Sequence, residues 1–157
     1  LDHSAFKNTF KRYREYKGEN VVEDLQEIIK TFRPTAVFLP SFKDSNPDHQ
    51  AGFLFFQQAK NAVQWQGEIY QYLIHYKILR FFRVYPAKNN SKGELSIIYP
   101  PAGFGGQGEW LSFWLRPWQL IKKKKAMKVY HSQLIIPSLK RLFKSFLAQN
   151  EIFWKSS

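Results

Sequence analysis

The chain has 157 residues, 24 Lys+Arg against 12 Asp+Glu, and a formal charge of +12. That length suits one domain able to bury about 68–70% of the surface its unfolded chain exposes, and 18% aromatic residues exclude a disordered tail. The lack of cysteine excludes a disulfide scaffold, and apolar runs such as Phe53–Phe56 are far shorter than the ~18 residues of a membrane span.

No N-terminal signal peptide is visible, which gives the expectation of a cytoplasmic protein. The charge is uneven. Residues 1–60 carry 9 basic and 8 acidic residues, and residues 61–157 carry 15 and 4. On its face this suggests a polyanion-binding second half.

The segment up to Gly18 is polar and basic and reads as a surface segment or loose helix. A helix follows, with Asn20 and Glu23 as a capping-box-like pair. Val22, Leu25, Ile28, Ile29 and Phe32 recur at helical spacing, and Arg33-Pro34 ends the helix. Ala36–Pro40 is a short apolar run, the pattern of a strand buried on both faces in a parallel sheet. Helix then buried strand implies a layered α/β fold.

A second helix is expected from Pro47 or Asp48 to Val63, with Pro in its first turn. Glu68–Ile78 and Leu95–Tyr99 read as strands, and Lys88–Gly93 as a loop. Ala102–Gly108 is a Gly-rich loop without phosphate-loop spacing. A helix is predicted from Pro117 to about Tyr130. Another starts at Pro137, with an apolar stripe of Leu139, Leu142, Phe143, Phe146 and Leu147.

Of four histidines, His3, His49, His75 and His131, none pairs with another at the i, i+4 spacing of a helical metal site. His49 stands apart by its setting in Asp44-Ser45-Asn46-Pro47-Asp48-His49. Two carboxylates, an amide and an imidazole follow a buried strand, where sites form in open α/β sheets. A turn plus a helix N-cap explains the same residues, and both readings hold together if the helix fixes the side chains.

The segment Asp44–His49, followed by Ala51, resembles the PIG-L / LmbE-like de-N-acetylases, whose middle motif is D-x-[HN]-P-D-H between a strand and a helix. The resemblance continues in Tyr72-Leu73-Ile74-His75, in Pro100-Pro101, and in Lys123, Ala126, Met127, Tyr130, Ser132 and Gln133. Glu151-Ile152-Phe153 matches a common ending, so the likeness runs from about residue 20 to the end.

The resemblance implies a Rossmann-like layered α/β sheet and a zinc-dependent hydrolase, zinc being exchangeable for another divalent metal. Its substrate would be an N-acetylated sugar or related amide, from which it removes the acetyl group. It puts a metal ligand at His49 and an orienting carboxylate at Asp48. Asn46 falls at the position often held by a His, where it can donate to an oxyanion but cannot act as an acid. Asp44, His75, Tyr130 and Gln133 are assigned to the substrate pocket.

The family's first motif, A-H-P-D-D-E, has no counterpart here. It supplies the other metal ligands and the base. The chain is therefore expected to be the C-terminal part of one larger α/β domain, with its N-terminal strands and further metal ligands supplied by a missing region. By itself it is expected to be inactive.

Lys122–Lys125 is the strongest charge run. Four successive helical residues point in four directions, which argues for a solvated helix. No nucleic-acid signature accompanies it, so nucleic acid is disfavoured as a partner. A non-catalytic basic module binding a polyanion remains the alternative to the enzyme.

Overall fold

The computed structural model describes residues 15, 17–76, 97–101, 104 and 108–156. These form a mixed α/β fold with one four-stranded sheet. Helix α1 (Gly18–Phe32) precedes β1 (Ala36–Pro40), followed by α2 (Pro47–Ala62) and β2 (Glu68–Tyr72). After them come β3 (Glu109–Trp114), α3 (Pro117–Lys128), α4 (His131–Ile135), α5 (Pro137–Ser145) and β4 (Asn150–Lys155). The sheet order is β1-β2-β4-β3. β1 and β2 are parallel, and β4 runs antiparallel to both β2 and β3.

Helix α1 begins at Gly18 with Lys17 as N-cap and no side-chain cap bond. The expected Asn20 cap is not made, because Asn20 lies inside the first turn of α1, where its amide donates to the Glu15 carbonyl (2.7 Å). The helix does end at Arg33, whose N–H reaches Ile29 O from a left-handed φ of 49°. Of its stripe, Ile29 is buried and Val22 and Leu25 pack beside it, while Phe32 is exposed.

Opposite residues of paired strands share a face. Val37, Leu39 and Ile69 face α1 and α2, forming a core with Ile29, Phe56 and Ala59. On the same side, farther across the sheet, Ile152 joins Leu73, Tyr76, Ile98 and Ala148, with Trp110 packed against them. The other face carries Phe38, Tyr70, Phe153 and Phe113. Phe38 stacks on Tyr70 and meets Phe153 edge-on, both at 4.9 Å between centroids, and Phe153 meets Phe113 at 5.6 Å.

Strand β1 keeps its predicted bounds but not its predicted burial. Leu39 is 5% exposed and Phe38 is 53% exposed. The cause is position, since β1 is an edge strand with its helices on one side. β2 stops at Tyr72, short of the expected Ile78, and residues 77–78 lie outside the described ones. The Lys88–Gly93 loop lies outside them too, as does most of Ala102–Gly108.

Of the Leu95–Tyr99 strand, residues 95–96 are outside, and Ile98 makes a single bridge. Its peptide is held by the buried Asn150 side chain, which accepts from Ile98 N (2.7 Å) and donates to Ile98 O (2.9 Å). Gly108 introduces β3 at φ +135°, where a Cβ would lie 2.3 Å from Lys155 O. That approach explains why glycine stands there.

Strands β3 and β4 were not anticipated. β3 reads Glu-Trp-Leu-Ser-Phe-Trp, where large residues on both faces hide the alternation. β4 alternates cleanly between buried and half-buried residues. Helix α3 resolves the lysine run. Lys123 turns inward and pairs with Glu151 of β4, while Lys122, Lys124 and Lys125 are exposed.

Candidate metal centre

The register of the parallel pair decides where the chain's chemistry collects. Pro40 lies opposite Tyr72, and Ser41 N extends the ladder by donating to Tyr72 O (2.8 Å). The two chains then leave the sheet side by side at the carboxyl ends of their strands. Asp44 and His75, three to four residues beyond that last pair, arrive together.

Asp44 is fully buried. Its Oδ2 accepts the backbone N–H groups of Ile74 (2.7 Å) and His75 (2.8 Å), and its Oδ1 accepts that of Asn46 (3.0 Å). Ser45 is tied back by its N–H and its hydroxyl, both donating to His75 O. The Gln50 amide donates to Asp44 O (2.8 Å). Burial pushes the Asp44 carboxyl up. The N–H groups of His75, Asn46 and Ile74, with the adjacent His49 ring, outweigh that and hold it below the usual carboxylate value.

Helix α2 brings in the next ligand. Asn46 is its N-cap, the Asn46 Oδ1 accepting Asp48 N (2.9 Å), and Pro47 occupies the first turn. This geometry directs His49 back toward Asp44. His49 Nδ1 lies 3.1 Å from Asp44 Oδ1, and His75 Nδ1 lies 3.5 Å from the same oxygen. The imidazole centroids are 5.3 Å apart.

Both Nδ1 atoms are buried and face Asp44 Oδ1 without an aligned hydrogen bond. One donor atom from each of Asp44, His49 and His75 falls within 4.8 Å of the others. Tetrahedral zinc with bonds near 2.0–2.1 Å spaces its ligands about 3.3 Å apart. The observed 3.1 and 3.5 Å bracket that edge. Two imidazoles and a carboxylate suit zinc or a similar divalent ion, and a three-ligand set leaves a position open.

The other expected site residues sit differently. Asp48 is exposed in the first turn of α2, where its charge favours the helix N-terminus. Asn46 uses its oxygen for the cap and keeps its NH₂ to donate. Tyr130 is 53% exposed and packs on Phe143 of α5 at 5.5 Å. Gln133 lies in α4 with a buried Oε1 that has no hydrogen-bond partner. The cluster gathers Asp44, His49 and His75.

The resemblance puts Asp44 and His75 in the substrate pocket. Their convergence with His49 follows from the β1–β2 register, which residue spacing alone does not reveal.

No helix among the described residues is long and apolar enough to cross a membrane. No protein-family model, curated protein sequence or solved structure matches the chain.

Proposed function

We propose that Asp44, His49 and His75 hold a divalent cation, zinc by the donor set, and that the chain is the metal-bearing part of an amide hydrolase of the PIG-L / LmbE kind. The carrying observation is the pair of buried imidazole nitrogens that face one carboxylate oxygen without an aligned hydrogen bond. The β1–α2–β2 unit, with its cluster at the carboxyl ends of parallel strands, is compatible with a Rossmann-like sheet of that family. The substrate in this reading is an N-acetylated sugar or related amide.

A divalent ion bound there supplies an activated water and polarises the scissile carbonyl. The chain's own residues do the positioning. Asp44 is locked by three backbone donors and presents Oδ1 to both rings. The Asn46 NH₂ is available to donate to an oxyanion. Asp44 is spent on these contacts and cannot serve as the base. In this reading the base and any added ligand come from a region supplying the family's first motif, and the isolated chain binds metal without turning over.

Equilibrium dialysis with elemental analysis tests this. About one zinc per chain is expected, lost in His49→Ala and His75→Ala, with no acetate released from N-acetylglucosamine. Absence of zinc uptake refutes the metal site, and acetate release by the isolated chain refutes its incompleteness. The polyanion alternative draws on the exposed basic residues of the C-terminal helices, among them Lys122, Lys124, Lys125, Lys128, Lys140 and Arg141.

A further inference from the structure

A cleft of about 340 Å³ lies between the sheet and the C-terminal helices. It is walled by Tyr72 and Ile74 at the end of β2, by Met127 of α3, and by Leu142, Phe143 and Phe146 of the α5 region. For scale, an apolar cavity of about 150 Å³ takes benzene. Its charged wall residues are Lys123 and Glu151, and these pair with each other. A neutralised pair offers no net charge to a ligand. The cleft therefore fits an uncharged apolar group better than a phosphate or a free carboxylate.

The cleft adjoins the metal donors through one short segment. Ile74 lines the cleft, and its backbone N–H donates to Asp44 Oδ2. Tyr72 lines it too, and the Tyr72 hydroxyl senses the Asp44 charge, its ionisation pushed up by burial and then by that carboxylate. A group seated in the cleft thus lies against the segment whose N–H holds Asp44. This is the geometry by which a remote apolar part of a substrate orients a reacting bond.

We infer that the cleft is a subsite for a linear apolar chain, such as the acyl chain of an N-acylated amine, carried by the substrate of the Asp44–His49–His75 centre. This rests on the metal-site reading for its chemistry but not for its binding. An acetyl group fills little of a cleft of about 340 Å³, whereas a longer acyl chain fills more of it.

The test uses the full chain, with and without zinc, titrated by calorimetry with N-acetyl-, N-butanoyl- and N-octanoylglucosamine. Affinity is expected to rise up to about fourfold per buried methylene, so that the octanoyl compound binds at least tenfold more tightly than the acetyl one. Leu142→Trp and Met127→Phe, each checked for cooperative unfolding, fill the cleft and are expected to erase that preference while zinc uptake stays unchanged. Equal binding of the three compounds overturns the proposal, as does a folded pair of variants that keeps the preference. Zinc uptake without chain-length preference refutes the cleft alone. Chain-length preference without zinc uptake supports the cleft and refutes the metal centre alone.

Discussion

Asp44→Asn separates the two jobs of this carboxylate. In the native chain it receives three backbone N–H groups and faces two imidazoles. The substituted amide has one oxygen. Turned toward Ile74 and His75, that oxygen keeps two bonds at neutral strength, but the NH₂ then confronts the N–H of Asn46. A hydrogen bond to a charged group contributes about 1.5–3 kcal/mol, and an unsatisfied buried donor costs about 1–3 kcal/mol. The lower desolvation cost of an amide offsets part of this.

A net loss of about 3 kcal/mol follows, a large share of a typical ~5–15 kcal/mol stability. Urea unfolding followed by tryptophan fluorescence measures it. Zinc affinity, read by competition with a chromogenic chelator, is expected to fall at least about 10-fold, since losing a ligand costs no less than losing a ligand's support. A variant within about 0.5 kcal/mol of the native chain refutes the bracing role. Unchanged zinc affinity refutes the metal role.

Two further outcomes are expected. The folded-state pKa of Asp44 is depressed, so its contribution is present above the unfolded value of about 3.9 and is lost as pH falls through the lower folded value. Metal-free protein should therefore lose stability below about pH 4, with a shallower acid limb in Asp44→Asn, and urea midpoints across pH 2–6 check this. Asn150→Ala removes a buried amide that satisfies both polar groups of the Ile98 peptide and donates to Ser112 Oγ (3.0 Å). About 3 kcal/mol of destabilisation is expected in urea, and a loss under 1 kcal/mol would show that the peptide finds other partners.

The legible parts of this fold were those coded locally. Arg33-Pro34 stops α1, the Asn46-Pro47 pair starts α2, and the apolar run Ala36–Pro40 is a strand. The parts that escaped depend on distant partners. β3 alternates poorly because Trp110 and Leu111 are both half-buried, on opposite faces. Ile98 is ordered by a side chain 52 residues away. The candidate site divides the same way. Asp44 and His49 stand together in one stretch of sequence and His75 enters by the resemblance, whereas how the three converge depends on the β1–β2 register.

The outer edge of β1 has a consequence for how the molecule assembles. Its backbone is unpaired among the described residues, and Phe38 lies open beside it. A parallel edge of this kind is a template that accepts any extended chain, including wrong ones. A segment that docks there in the same direction as β1 ends where β1 ends, on the side of Asp44. A chain that pairs there parallel to β1 therefore brings its carboxyl end to the side of Asp44, and one that pairs antiparallel brings its amino end there.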